Sequence, residues 1–484
     1  MKSSNNSIQT QPLIKFILIS SSICALCLMV SMLLLSTTKL LDLESSPQEN
    51  VDASTSLEHL VFGLGSGRTV WPKRKEYVKL YWKPQKMRGC VFVGSLPKDY
   101  QSNNNNNNTN DKSSLPPLCL ASNTSQFPYT WGPTGQLSAN RMTRMVKDLV
   151  EMNYSNVRWY VFGDDDTIFF PENLVKTLSK YDHRLHYYLG APSESYPAAQ
   201  NFSFAMAFGG GGIVMSSSLA QVLAKVVDSC IERYPYLYGS DARTYSCITE
   251  LGVGFTKEPG FHQDFPEVDM VGNIFGLLAT HPLTPLLSLH HVDRTEPIFP
   301  NKTNIKAFQH LFEAANADSQ RIVQQTVCYH KQFSWTISIS WGYAIQVFQN
   351  HMPLPDVLRV PQTFRPWSEE TVLKDIYNFN TVPIQPDPCK RPIIFYLDNV
   401  SSMEDGAIIS NYRKSFQNCS YDMASLNKLE VIKVFSKKLD LDIKQLLSPR
   451  RHCCDILPSR ADDQLEVAIR ECKDEELIFH AVAK

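Results

Sequence analysis

A β-branched and aromatic run that stops at three consecutive carboxylates most narrows what this chain can fold into. Val157 to Phe170 reads Val-Arg-Trp-Tyr-Val-Phe-Gly-Asp-Asp-Asp-Thr-Ile-Phe-Phe. Pro171 then occupies a first-turn position, and Leu174, Val175, Leu178 and Tyr181 recur along one helix face. The order is strand, acidic corner, helix. In open α/β sheets, ligands collect beyond the carboxyl ends of the strands. Asp164, Asp165 and Asp166 repel one another, so the corner calls for a positive partner. A divalent cation carrying a phosphorylated ligand fits, because Mg²⁺ or Mn²⁺ shares its shell between carboxylates and phosphates. The competing reading is a solvated cluster favoured by the helix dipole.

The N-terminus sets the expected compartment. Phe16 to Leu35 carries no charge and is dominated by Ile, Leu, Val, Met, Phe and Cys. At about 1.5 Å per residue such a run reaches across a hydrocarbon core of about 30 Å, and it is longer than a cleaved signal peptide needs. The expectation is a cytosolic tail at 1–15, a signal anchor at 16–38 and a stem at 39–56. Lys2 and Lys15 precede the run, which places the N-terminus in the cytosol. Asn107, Asn123, Asn153, Asn201, Asn301, Asn399 and Asn418 each head an Asn-x-Ser/Thr, all after the run. Cys90, Cys119, Cys230, Cys247, Cys328, Cys389, Cys419, Cys453, Cys454 and Cys472 are even in number, which permits disulfides in an oxidising lumen. No Cys-x-x-Cys occurs among them, which argues against a zinc site. With 47 basic and 48 acidic side chains in 484 residues, no basic patch points to nucleic acid.

Along the chain, Leu57 to Leu64 reads as a first buried strand ending in a turn with Gly63, Gly65 and Gly67. Such a turn lets a backbone approach a nucleotide, although it matches neither the dinucleotide fingerprint nor a phosphate loop. Trp71 to Trp82 has a basic, amphipathic helix pattern, Gly89 to Val93 a strand pattern, and Leu137 to Met152 a helix pattern. Ser102 to Ser114 is an asparagine-rich surface loop. Alternating strands and helices from Leu57 to about Phe265 predict a doubly wound α/β domain.

Phe208-Gly209-Gly210-Gly211-Gly212-Ile213 holds four glycines, each entropically costly to order. Either something approaches the main chain closely, or the segment is a bulge or packing corner. Tyr238-Gly239-Ser240-Asp241 opens a helix that ends at Gly252, with Ser240 or Asp241 available as its N-cap. His262 lies in Gly260-Phe261-His262-Gln263, where a hydrogen-bonded structural role competes with metal ligation. His290 and His291, beside Asp293, read as a packed loop or a substrate-facing one. Phe333 to Phe348 alternates, which places Trp335 and Trp341 on strands or their ends. Pro392 to Leu397, Leu429 to Phe435 and Leu477 to Ala481 are further expected strands in a β-rich region at 386–484.

Taken in order, Trp159 through Asp166, Phe208 through Gly212, Gly239-Ser240-Asp241 and Gly260-Phe261-His262 resemble the fringe-like glycosyltransferases (glycosyltransferase family thirty-one). The chain looks closest to their plant branch, usually described only as a domain of unknown function. The likeness runs through Pro449-Arg450-Arg451-His452-Cys453-Cys454-Asp455 to Arg470-Glu471-Cys472. It implies a GT-A fold, with a glycosyltransferase domain at 57–385, and a Golgi type II membrane enzyme. The implied reaction is inverting transfer of a hexose or N-acetylhexosamine from a manganese-bound UDP-sugar to a glycan or glycoconjugate hydroxyl, with a β1,3 linkage.

Carried across, Asp166 and His262 would be the metal ligands. Asp164 and Asp165 would contact the ribose or complete the metal shell, and Asp241 would be the catalytic base. Gly63, Gly65, Gly210 and Gly211 would leave room for donor and acceptor. The family's Pro-Asp-Asp is Gly239-Ser240-Asp241 here, so one acid is missing. That departure supports an alternative: a catalytically silent luminal carbohydrate-binding or scaffold protein that keeps the fold. A metal-dependent phosphohydrolase is a third reading, weakened by the lack of a second ligand cluster.

Overall fold

Adjacent residues of β1 (Leu60–Ser66) feed opposite sides of the first sheet in the computed structural model, which describes residues 26–32, 54–97, 114–128, 137–263, 270–366, 376–416, 418–419, 424–459 and 461–479. Leu60, Phe62 and Leu64 enter one apolar core and Val61 the other. β4 (Trp159–Asp164) does the same, with Trp159 and Val161 on one side and Tyr160 and Phe162 on the other. A strand buried on both faces has to be apolar throughout, which is why these runs lack the polar alternation of a half-exposed strand. Each fully buried side chain of this size contributes on the order of 1.5–3 kcal/mol.

β1 pairs in parallel with β4 and with β2 (Arg88–Val93), which pairs in parallel with β3 (Leu118–Leu120). β7 (Ile213–Ser216) runs antiparallel to both β4 and β6 (Tyr188–Gly190), and β8 (Phe255–Lys257) is parallel to β6. The order is β3-β2-β1-β4-β7-β6-β8. The sheet is therefore mixed, where the alternation predicted a doubly wound one. The reversal at β7 has a consequence for position. Ile213 stands opposite Phe162, so the glycine segment entering β7 and the aspartates leaving β4 share one edge.

A short sheet caps that edge. β5 (Ile168–Phe169) is antiparallel to β11 (Ser288–Leu289), which is parallel to β9 (Phe261–His262). Two minor ladders join β10 (Met270–Gly272) to β16 (Phe364–Pro366) and β15 (Val360–Pro361) to β17 (Thr381–Val382).

The second large sheet has the order β12 (Gln325–His330), β13 (Trp335–Ser340), β14 (Ala344–Phe348), β18 (Ile393–Ser402), β19 (Ala407–Lys414), β20 (Val431–Lys437), β22 (Gln464–Arg470), β21 (Cys453–Leu457). It starts at Gln325 and pairs β14 with β18 across the boundary expected near residue 386. Ile337, Ile345, Phe395, Ile432 and Val467 share the core of Leu60 and Trp159, so one hydrophobic body serves both sheets. Trp335 and Trp341 are buried in that core. The strand expected at Leu477 to Ala481 is absent for 477–479, the described part. The outer edge is β21 instead, paired to β22, whose Leu465, Val467 and Ile469 alternate inward.

Disulfides join Cys90–Cys119, Cys230–Cys247, Cys328–Cys454, Cys389–Cys419 and Cys453–Cys472. Cys328–Cys454 staples β12 to β21, the two outer strands of the second sheet, and so protects both edges. It spans 126 residues. Loop-closure entropy for such a span is about 4–5 kcal/mol. The double variant Cys328→Ala/Cys454→Ala should lose about that much in urea unfolding.

Residues Met1–Ser54 form a separate unit, in which 26–32 are helical. Most of the expected tail, anchor and stem, like most of the asparagine-rich loop, lies outside the described residues. Among the described residues no helix is long and apolar enough to cross a membrane.

Candidate functional site

The turn after β4 is held by its own backbone and by Thr167. Thr167 Oγ1 lies 2.9 Å from the Asp164 amide, and it donates to the Gly210 carbonyl at 2.7 Å. One hydroxyl thus ties the acidic corner to the glycine segment. Asp165 and Asp166 are buried, whereas Asp164 is partly exposed.

Three acids packed together need cations, and the chain supplies some itself. Arg74, on the helix Trp71–Tyr81, places Nη1 3.2 Å from Asp165 Oδ1 and 3.1 Å from Asp166 Oδ2, with Nη2 2.8 Å from Asp293 Oδ2. The sequence marks this helix as basic, but no local signal singles out Arg74. Burial, relieved in part by a hydrogen bond from Ser66, pushes Asp165 up to about 6. Desolvation works against the charge of Asp166, but His290, His291 and Arg74 hold its carboxyl below the usual range.

The small sheet β5–β11–β9 explains which histidines meet the aspartates. Asp166 lies just ahead of β5, and His290 follows β11, the partner of β5. His290 Nε2 is 3.3 Å from Asp166 Oδ1 and 3.5 Å from Asp164 Oδ2, and His291 Nε2 is 3.9 Å from Asp166 Oδ2. Successive side chains on a strand point to opposite faces. Here His291 has φ 52°, a left-handed value uncommon outside glycine, and its ring stacks on His290 with centroids 3.7 Å apart. The backbone turn puts two consecutive imidazoles beside one carboxylate.

Ligand atoms of Asp166, His290 and His291 all lie within 4.8 Å of one another. Both Asp166 carboxylate oxygens and both His290 ring nitrogens are buried without a hydrogen bond of proper geometry. A buried carboxylate and two imidazoles converging in this way, with only ion-pair contacts to one another and to Arg74, fit a divalent cation. Two imidazoles make the set softer than Mg²⁺ prefers, which favours a first-row transition ion. Burial opposes the charge of His290, but Asp166 and Asp164 raise its pKa to about 10.

His262, expected as the second metal ligand beside Asp166, is not one of these clustered ligand atoms. Its Nδ1 is 2.8 Å from Glu194 Oε1 and its Nε2 is 2.9 Å from His281 Nε2, so both ring nitrogens are engaged away from the aspartates. The short strand β9 carries His262 to the right edge, but buried Glu194 captures the ring. The same carboxylate accepts from the Gln263 amide at 2.9 Å, and the Gln263 side chain accepts from the Gly211 amide. His262 therefore braces the glycine segment. The sequence signal for the alternative was Leu286-Leu287-Ser288-Leu289, a buried run that ends at two histidines.

Asp241 stands on the first turn of the helix Ser240–Glu250, whose N-cap is Gly239 rather than Ser240 or Asp241. The helix is fixed by Cys230–Cys247 and by fully buried Arg243, which donates to Asn140 Oδ1 and to the carbonyls of Pro235 and Leu237. Asp241, Asp164, His290, His291, Gly209 and Gly210 line one cavity of about 150 Å³. Burial, with help from the charge of Asp164, pushes Asp241 up to about 6.

The glycines divide by role. A Cβ on Gly209 would lie 2.6 Å from Asp241 Oδ1, and one on Gly210 would lie 2.0 Å from His290 Cε1. A Cβ on Gly211 would meet Gln263 Cβ at 3.1 Å. What approaches this backbone is therefore the site's own side chains. Gly63 and Gly65 are inside β1 instead of in a turn after it, with Gly63 against Leu149 and Met145 and Gly65 against Met142. Their bare Cα atoms admit the helix Leu137–Glu151. Gly210→Ala should displace His290, destabilise the fold by about 1–3 kcal/mol and weaken Mn²⁺ binding, as read by calorimetry.

The fold and site define an α/β protein with an acid–histidine cluster facing a lone carboxylate. Residues 199–454, more than half of the chain, match the DUF604 family, described as proteins of unknown function, and the chain belongs to that family. No curated protein matches it detectably in sequence.

Among solved structures, it overlaps a mannosyltransferase from Pyrobaculum calidifontis in complex with GDP-Man and Mn²⁺. That overlap has 10% identity, covers 44% of this chain and 59% of that one, and has a TM-score of 0.27. A glycosyltransferase involved in glycosylation of the major capsid of PBCV-1 overlaps at 11% identity, over 52% of this chain and 97% of that one, with a TM-score of 0.27. An active-site mutant of LgtC overlaps at 8% identity, over 51% and 93%, with a TM-score of 0.30. Likeness this remote leaves function to be argued from the site.

Proposed function

We propose that this protein is a metal-dependent, inverting glycosyltransferase that moves a hexose or N-acetylhexosamine from a UDP-sugar to a glycan or glycoconjugate hydroxyl. The observation that carries the reading is the shared cavity: Asp241 faces the same small space as Asp164, His290 and His291. The acidic strand end in a mixed α/β sheet is also what a GT-A architecture calls for.

Asp166, His290 and His291 would hold the cation, which when bound supplies Lewis-acid stabilisation to a departing diphosphate. Asp241 accepts the acceptor hydroxyl's proton as that oxygen attacks the anomeric carbon. Attack from the face opposite the leaving group inverts the centre, as in inverting glycoside hydrolysis. Asp164, partly exposed at the cavity wall, would hydrogen-bond a ribose or sugar hydroxyl.

The compartment in this reading is the Golgi lumen, with the chain anchored as a type II membrane protein by the apolar run at 16–38. Five disulfides support an oxidising environment. Asn123, Asn153, Asn201, Asn301, Asn399 and Asn418 are all exposed, as glycosylation requires.

The test is a panel of UDP- and GDP-sugars with Mn²⁺, scored by nucleotide release with mixed oligosaccharide acceptors. Nucleotide binding without release from any donor would favour the silent carbohydrate-binding reading. The pH profile is a second check. Only ionised Asp241 takes a proton, so kcat/KM should fall about tenfold per pH unit below about 6.

A further inference from the structure

The segment Pro449-Arg450-Arg451-His452, which the proposed reaction does not use, lines a second and larger cavity. Its volume is about 450 Å³, within the usual range for small-molecule sites. The walls come from both large sheets: Lys257 ends β8, Gln324 and Gln325 lie at the start of β12, and Arg450 and Arg451 lead into β21.

The charges around this cavity do not cancel. Arg451 is half-buried, and its Nη1 donates to the Gln325 carbonyl at 2.6 Å and reaches Gln325 Oε1 at 3.3 Å. Among the described residues no carboxylate stands within ion-pair reach of it. The neighbouring acids face other groups than Arg451. Glu258 is held by Lys180 and Tyr181, Asp474 lies 4.0 Å from Arg450, and Glu471 accepts from Gln445. Lys257 is exposed at the cavity and makes no ion pair among the described residues.

Burial lowers Arg451 to about 10, with no acid to offset it. A guanidinium withdrawn from water without an anion is costly. Its planar fork matches a carboxylate or phosphate in two parallel hydrogen bonds. Gln325 spends its side-chain amide on Ser338 Oγ, the Val357 carbonyl and Arg451, and Gln324 Nε2 donates to the Thr284 carbonyl, which leaves Gln324 Oε1 to accept from a hydroxyl.

We propose that this cavity binds a small hydroxylated oxyanion, a uronic acid or a sugar phosphate, with Arg451 receiving the anionic group and Lys257 adding charge at the wall. The site does not depend on the transferase reading.

The test titrates the full chain by calorimetry, without added metal, using galacturonate, inorganic phosphate and galactose. Saturable binding of one or both anions, and not of galactose, is expected, and Arg451→Gln should weaken it at least about tenfold. Galacturonate binding without phosphate assigns a uronic acid, and phosphate binding without galacturonate assigns a phosphate ester. Absence of binding by either anion, equal affinity in Arg451→Gln, or galactose binding as tight as galacturonate would overturn the proposal. Should Arg451→Gln fail to fold, Lys257→Gln and the salt dependence of the wild type decide. Anion affinity indifferent to both would refute the site.

Discussion

Asp241→Asn is expected to lower sugar transfer by about 10²–10⁴-fold, the contribution of a positioned general base, while Mn²⁺-dependent UDP binding persists. The amide keeps the volume of the carboxylate and still accepts from Gly209 and Ser240, but it cannot take a proton. The fold should not suffer. With its carboxyl raised from 3.8 to about 6, Asp241 favours the folded state when protonated, below about 3.8. That contribution is lost as pH rises through about 6, so at neutral pH the ionised group is a burden. Asp241→Asn should therefore be as stable as the wild type at pH 7, or more stable by up to about 3 kcal/mol. An inactive but stable variant separates a chemical role from a structural one. Retained transfer in Asp241→Asn would remove Asp241 as the base.

The second large effect distinguishes His290 from His262. His290→Ala should reduce Mn²⁺ affinity by more than the 10–100-fold that loss of a supporting contact around a metal typically costs. Asp166→Ala should behave in the same way, and metal-dependent UDP binding should fall with it in calorimetry. His262→Gln should instead leave Mn²⁺ affinity near wild type. It should lower the urea midpoint, because Glu194 and His281 lose a buried partner worth about 1–3 kcal/mol. The opposite pattern, with Mn²⁺ lost in His262→Gln and retained in His290→Ala, would return His262 to the metal.

Local pattern along the chain reaches some elements of this site and not others. The strand ending at Asp164, the helix after Pro171 and the helix opening at Asp241 were all legible. Each rests on hydrophobic spacing within about a dozen residues and on a terminator such as Pro171 or Gly252. For the four glycines, local pattern leaves a close approach and a packing corner equally open and does not tell what would approach. Asp241, His290 and Gln263 come from segments that meet Gly209, Gly210 and Gly211 only once β7 has reversed direction beside β4.

The C-terminal region is β-rich as its pattern indicates, but that its sheet also takes in β12, β13 and β14 is not legible locally, for a related reason. β14 and β18 are separated in sequence by helix and minor-ladder segments, and no local pattern announces that they pair. Arg74 escaped notice because an arginine on a basic helix face looks solvated until its partners arrive. Asp293 lies 219 residues away.

By itself, then, the amino-acid sequence determined the acidic corner, the order of most strands and helices, and Asp241 as a lone carboxylate at a helix start. Those properties follow from side-chain periodicity and backbone preference, which act between near neighbours. Tertiary structure alone decided that His290 and His291 stand beside Asp166 while His262 turns to Glu194. Strand pairing in β5, β9 and β11 brings all three histidines near the same edge. Which ring faces the aspartates then depends on a left-handed backbone turn at His291 and on a buried glutamate distant in sequence from His262.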